Sequence, residues 1–261
     1  MRPAAKAAAH TAAMLDAWHQ AGIARADLAV RTANAAMLWY ADRPLDALPL
    51  ALARAHNVKQ ADIYIRPARG HAWPMVLLDD VDIAMAQRVA KHYATLVVHT
   101  SAQGGCHLWL RLTRALDEAQ RRQVQRWLIP KVDADPGSVS GEHLGRLAGM
   151  KNFKRAGQWV NVLQQPRPHT RPWDPTPALQ AAPASAAARP TPCTRTRTSG
   201  VDASASAREW GWVCGALEAG LSPEAVYQRL LVHAAPRRGR DAERYARHTI
   251  TRALRHTSAR R

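Results

Sequence analysis

From Gln165 the sequence runs QPRPHTRPWDPTPALQAAPASAAARPTPCTRTRTSG and continues in the same vein to about Ser206, rich in Pro, Ala, Thr and Arg and without apolar periodicity. No other feature limits the possible folds as much, because such a segment buries too little apolar surface to recover the entropy lost on ordering. It reads as a linker over 165–205. Residues 1–164 are then long enough for one domain and residues 206–257 for a small helical bundle.

The front part mixes strand and helix signals. Met14, Leu15 and Trp18 recur at helical spacing between Ala5 and Ala21, whereas DLAVRTA (27–33) and ADIYIRP (61–67) have the β-rich pattern of short strands. MVLLDD (75–80) is an apolar run ending in acids, IAMAQRVAKHYA (83–94) an amphipathic helix and LVVHT (96–100) another buried strand. The turn SAQGG (101–105) leads into CHLWLRL (106–112), whose alternation predicts a hairpin with His107, Trp109 and Arg111 on one polar face. A helix from about Leu116 should stop at Ile129, before Pro130, and a loop, VDADPGSVSGEH, should lead to a last strand, QWVNVL (158–163). The fold class is therefore α/β or α+β, with a mixed or antiparallel sheet. In the tail, helices are expected near 206–219, 222–235 and 241–256, the second opened by Ser222 and Pro223.

With 37 Lys plus Arg against 20 Asp plus Glu, the formal charge is +17, and in a chain of 261 residues such a surplus points to a polyanionic partner, nucleic acid first. A GC-rich genome would also enrich Arg and Ala. No apolar run approaches the ~18 residues of a membrane span, and Arg2, Lys6, His10 and Asp16 interrupt the Ala-rich start. Cys106, Cys193 and Cys214 show no C-x-x-C spacing, so neither a disulfide framework nor a thiolate zinc site is indicated. The expected setting is cytoplasmic, without a membrane partner.

In a chain short of acids, Asp79, Asp80 and Asp82 cluster at a strand end, and Asp133 and Asp135 in a loop. Converging carboxylates in a basic protein suit Mg²⁺ or Mn²⁺, which take oxygen ligands and leave positions for substrate phosphates. Helix capping and Asx turns would account for the same residues. His107 follows a Gly-Gly turn on the face of Arg111, where it could reach a bound triphosphate; a structural hydrogen-bonding histidine is the alternative. Arg146, Lys151, Asn152, Lys154 and Arg155 form a basic segment with Gly145 and Gly149 allowing close backbone approach to phosphate.

The order YIRPA (64–68), LLDD (77–80), GGCHLWL, DADP (133–136) and HLGRLAGMKNFK (143–154) resembles the RepB-type primases of plasmids and phages, in the archaeo-eukaryotic primase superfamily. SPEAVYQRLL and DAERYARHTITRAL also resemble the helix bundle that follows the catalytic domain in such primases. The resemblance implies that Asp79, Asp80 and Asp135 bind two divalent metals and that His107 contacts the incoming nucleotide. Alternation would put Asp80 and Asp82 on one face and Asp79 on the other, so Asp82 stands beside them as a metal candidate and the choice of pair is open. Arg66, Arg111, His143, Arg146, Lys151, Asn152 and Lys154 are the candidates for nucleotide and DNA contacts. The expected activity is primer synthesis on a single-stranded DNA template from nucleoside triphosphates by two-metal nucleotidyl transfer, with a replicative helicase as an optional partner. A non-catalytic primase-fold initiator that only grips DNA is the alternative. A relaxase or nuclease would want a His-x-His pair or a Tyr nucleophile beside a histidine cluster, and neither spacing occurs. In the tail, Trp210 and Trp212 would either pack the bundle or stack on a base, and Arg237, Arg238, Arg240, Arg244 and Arg247 would aid start-site recognition.

Overall fold

A computed structural model describes residues 3–101, 105–155, 157–181, 205–238 and 242–258. Residues 3–181 belong to one compact unit and residues 205–258 to a second. Residues 102–104 of the expected Gly-Gly turn, 182–204 of the expected linker, and Arg240 lie outside the described residues.

In chain order the first unit comprises α1 (Pro3–Gln20), β1 (Arg25–Arg31), β2 (Met37–Pro44), α2 (Leu50–Val58), β3 (Asp62–Pro67), β4 (Trp73–Asp82), α3 (Ile83–His92), β5 (Thr95–His99), β6 (Gly105–Leu116) and α4 (Glu118–Val132). It closes with the short strands β7 (Gly145–Arg146), β8 (Lys151–Asn152), β9 (Gln158–Trp159) and β10 (Asn161–Gln164), and the helix α5 (Thr176–Gln180). The strands form two four-stranded sheets, ordered β2-β1-β3-β7 and β10-β5-β6-β4, with β8 and β9 paired separately. Every strand pair is antiparallel.

Alternation sorts the second sheet into two faces. Met75, Leu77, Leu96, Val98 and Trp109 meet Leu28, Val30, Ile63 and Ile65 of the first sheet, with Met14 and Trp18 of α1. Val76, Leu78, Val97, Leu108, Leu110 and Leu112 instead pack beneath α3 and α4, against Ala86, Ala90, Val124 and Leu128. The polar face expected of 106–112 is thus corrected: His107 is 4% exposed and Trp109 fully buried, its ring edge-on to Trp18 at 4.9 Å. Period two reports which residues share a face, but not whether a second layer covers it.

Further corrections concern boundaries. Helix α4 runs through Pro130 for two more residues, ending at Asp133 with φ 54° and its N–H on the Ile129 carbonyl. Pro130 removes its own N–H from the ladder and crowds the carbonyl four residues before it, and the helix continues past it for less than one turn before the left-handed Asp133 ends it. Strand β2 and helix α2 carry no signal that the sequence reading used; β2 is an edge strand with all eight positions exposed or half-exposed. The expected linker also starts too early. Trp173 is 8% exposed against the core under α4, and Tyr93 and Leu112 form parallel bridges to Arg171 and Trp173. Prolines spaced through this stretch hide its few apolar anchors from a periodicity argument.

The second unit packs α6 (Ala205–Glu218), α7 (Pro223–Arg238) and α8 (Ala242–Ser258) around Val213, Leu217, Val226, Leu230, Ala246 and Ile250. The Ser222 hydroxyl accepts the Ala225 N–H, as an N-cap does. Trp210 packs partly against this core, whereas Trp212 is 39% exposed. Arg247 is paired with Glu243 at 2.7 Å and lies over the Tyr227 ring. Among the described residues no helix is long and apolar enough to cross a membrane.

Candidate active site

The site begins with an irregular register between β4 and β6. Leu78 pairs with Leu108, but Val81 pairs with Cys106, so β4 carries one residue too many across this step. Asp80 absorbs it with φ 60°, the left-handed region that Asp tolerates better than most residues. The bulge turns both neighbouring acids toward one side. Asp79 Oδ1 lies 3.1 Å from His107 Nε2, and the Asp80 carboxylate lies so close over Gly105 that a side chain there would collide with it. Gly105 and His107 share a face of β6, so the alternation that separated Asp79 from Asp80 does not hold. Asp82 Oδ1 accepts the Ala84 N–H at 3.0 Å as the N-cap of α3. Burial, then the nearby Asp82 and Asp80 charges, pushes the Cys106 thiol up to about 12.

The loop after α4 meets this strand end. The Asp135 N–H donates to the Asp79 carbonyl at 2.9 Å, while Asp135 Oδ1 accepts the Gly137 N–H of a 3-10 turn, Pro136–Ser138. From the same loop, His143 brings Nε2 to 3.5 Å from Asp79 Oδ2. Two buried side chains of α4 hold the arrangement. Gln125 donates to the Leu77 carbonyl at 2.9 Å and accepts the N–H groups of Ser140 and Gly141, joining the Asp79 strand to the Asp135–His143 loop. Arg121 donates to the Gly141, His71 and Leu116 carbonyls and stacks on Trp73, 3.8 Å from the ring centroid.

The ionisation pattern follows. Burial alone would raise the Asp79 carboxyl, but the hydrogen bonds from His107 and His143 hold it well below the ordinary carboxylate range. Burial pulls His143 down, yet its hydrogen bond to Asp79 and the charges of Asp79 and Asp135 raise it overall, against Lys154. His107 Nδ1 accepts the Arg146 backbone N–H at 3.1 Å, which leaves the ring proton on Nε2, donated to Asp79.

Asp79, Asp80 and Asp135 supply hard oxygen donors from a strand end and an adjoining loop, which is the donor chemistry of Mg²⁺ or Mn²⁺. Among the described residues no three His, Cys, Asp or Glu side chains are grouped to hold a metal by themselves.

The other candidates separate. His143 is 33% exposed at its side chain, and Lys154 is exposed nearby. His107, expected on the nucleotide, has both ring nitrogens engaged inside the protein and is placed to orient Asp79. The Arg146 guanidinium, expected on nucleotide or DNA, is buried, paired with Asp62 at 2.6 Å and stacked on Tyr64. Asn152 is buried and donates to the Thr100 carbonyl at 2.7 Å, whereas Lys151 is exposed with its ammonium 5.5 Å from the Trp159 centroid. Arg66 pairs with Asp27 at 2.9 Å and donates to the Glu142 carbonyl. Arg111 is four residues along β6 from His107, roughly 13 Å away, outside the cluster. Gln125, Arg121, Asp62 and Glu142 were not singled out from the sequence. Glu142 beside His143 was the most findable, as an acid in a chain that has few; nothing in QRRQVQRW distinguishes Gln125.

Residues 47–167 match the RepB DNA-primase N-terminal domain. Mobilization protein A of Escherichia coli is 33% identical over 174 residues, which cover 61% of this chain and 24% of that protein, so the chain spans about a quarter of this relative's length. The catalytic domain of primase RepB′, solved in complex with initiator DNA, is 29% identical with a TM-score of 0.54, covering 60% of this chain and 85% of that one. Two solved structures share the fold at lower identity. Primase RepB′ has TM-score 0.57, 20% identity and coverage of 100% and 99%; the primase-polymerase domain of cyanophage S-2L has 0.51, 13%, and coverage of 67% and 97%.

Proposed function

We propose that the first unit, whose residues 47–167 match the RepB DNA-primase N-terminal domain, is a RepB-type primase domain that synthesises short primers on single-stranded DNA during plasmid or phage replication, by nucleotidyl transfer from nucleoside triphosphates. The observation that carries this reading is the bulge that turns Asp79 and Asp80 to one side, beside the loop bearing Asp135. These three carboxylates would hold the divalent cations. When bound, Mg²⁺ or Mn²⁺ supplies charge neutralisation at the triphosphate and activation of the attacking 3′-hydroxyl.

The chain's own groups do the rest. His107 fixes the Asp79 carboxylate by donating from Nε2, with its tautomer set by the Arg146 N–H. His143 and Lys154, the accessible cations at the site, meet the triphosphate. Gln125 keeps the two acid-bearing segments at a constant separation. Arg66 contributes to the template path through its place beside the Glu142–His143 peptide. The helical unit aids start-site recognition.

The test is primer synthesis on single-stranded DNA with nucleotides and Mg²⁺ or Mn²⁺. Asp135→Asn should lower incorporation by at least about a hundredfold while DNA binding persists, because a charge leaves the site and the basic surface does not change. Activity of the variant within a few-fold of wild type would remove Asp135 from the site. DNA binding without synthesis by the unmodified chain would favour the alternative of a non-catalytic initiator.

A further inference from the structure

The hairpin of β8 and β9 carries a feature that the nucleotidyl-transfer site does not use. Register sets Trp159 directly opposite Lys151, so both side chains stand on one face of this two-stranded ribbon, whereas Asn152, on the other face, is buried and donates to the Thr100 carbonyl. The outward face is open. Trp159 is 39% exposed, and Lys151 is exposed with its ammonium 5.5 Å from the indole centroid.

The backbone under this pair is fixed. Asn57 of α2, itself buried, gives both ends of its amide to Lys151: Nδ2 donates to the Lys151 carbonyl at 2.9 Å, and Oδ1 accepts the Lys151 N–H at 2.8 Å. Asp62 Oδ1 accepts the Phe153 N–H at 2.8 Å. Charge on this side has one sign, because the sequence holds no Asp or Glu between Asp46 and Asp62, through α2, or between Glu142 and Asp174, through the hairpin. Arg54, one turn before Asn57, and Lys59, two residues after it, are exposed. The acid that does reach the hairpin, Asp62, is only 10% exposed at its side chain and is paired with Arg146 at 2.6 Å. The one acid of α1, Asp16, lies beyond Ala13, whose carbonyl accepts from Gln165, and so at the far end of β10 from Trp159. The hairpin also adjoins the site. Thr100, which accepts from Asn152, precedes Ser101, whose hydroxyl accepts the N–H of Gly105, the residue that the Asp80 carboxylate overlies.

We infer that the outward face of this hairpin is a seat for single-stranded DNA, in which one base stacks on Trp159 and Lys151 meets a phosphate of the same strand. The inference rests on the reading of the first unit as a primase domain and adds two named contacts to it. Single-stranded DNA fits both groups: its unpaired bases offer flat faces to the indole, and its phosphates meet a surface without exposed carboxylates on α2 or the hairpin. A duplex has no unstacked base to give. Because Asn57 holds the ribbon in place beforehand, little ordering entropy is lost when the strand arrives.

The test compares binding of the full chain to a labelled single strand and to a strand of equal length whose sugars all lack bases, measured by anisotropy. Trp159→Ala should weaken binding of the normal strand by roughly tenfold and leave the abasic strand unchanged. Trp159→Phe should stay within about threefold of wild type, whereas Trp159→Leu, apolar without an aromatic face, should behave as the alanine variant does. Lys151→Gln should weaken both strands and lower the salt slope of single-strand binding by about 0.7. Equal affinity of Trp159→Ala and wild type for the normal strand, equal loss on both strands, or an unchanged salt slope in Lys151→Gln overturns the inference. So does a free protein that sediments as a dimer in wild type and as a monomer in Trp159→Ala, since the face would then join two copies of the chain. If the unmodified chain binds neither strand, the primase reading fails with it; if it binds and Trp159 is neutral, only the seat fails.

Discussion

The two sheets of the first unit are built from similar strands and serve opposite ends. The β10-β5-β6-β4 sheet is covered on both faces, so its side chains are held by packing and a single added residue in β4 re-aims two carboxylates. The β2-β1-β3-β7 sheet packs its apolar side chains on one face only, and its other face carries buried ion pairs and, at the β2 edge, a half-exposed indole. Burial around a residue fixes its geometry, whereas an exposed edge strand such as β2 leaves its side chains to solvent.

If this contrast is right, its largest expression is in stability. Trp109→Ala, at the contact between the sheets, should cost about 4–5 kcal/mol in denaturant unfolding, since the cavity would open beside Trp18 and Gly145. A chain ended after Gln165 should lose roughly 3–4 kcal/mol relative to one ended after Ala181, because only the longer chain keeps Trp173 in the core. Equal unfolding midpoints would return residues 165–181 to the linker.

Ion pairs should divide along the same line. Asp62→Ala leaves the buried Arg146 guanidinium without its carboxylate, and about 3 kcal/mol of stability should go with it. Arg25→Ala breaks an exposed pair with Asp42 and should leave the thermal midpoint unchanged within error. Gln125→Leu sharpens the comparison on the functional side. It should cost about 2 kcal/mol, from the Leu77 carbonyl and the Ser140 and Gly141 N–H groups left unpaired, and reduce primer synthesis more than single-strand binding. The smallest effect is chemical: with its thiol pushed up to about 12 by burial, Cys106 stays protonated at pH 8 and should resist alkylation in the native protein, as read by mass spectrometry, and react once unfolded.

Strands β3, β4, β5 and β6 and the helices that follow β4 and β6 were legible because each buries a face in a regular period. Helix α4 was legible in place but not at its end, where the Asp133 cap outweighed Pro130. Strand β2 escaped because its pattern is exposed on both sides. At the site, the acids and histidines could be named from residue type and order, whereas their partners could not. Gln125 bridges positions 48 and 16 residues away, and nothing local records such a contact.

The sequence by itself determined the class of fold and supplied the candidate acids, histidines and basic residues, because alternation, residue type and composition are local properties. Only the tertiary structure decided how those residues are used. Asp79 and Asp80 share a side because β4 must absorb one extra residue against β6. His107 supports Asp79 because β7 brings the Arg146 N–H to its other nitrogen. Arg146 is an internal strut because Asp62 and Tyr64 of β3 surround it. Each outcome depends on which strands become neighbours, and pairing between distant segments is settled by the packing of the whole core rather than by any one of them.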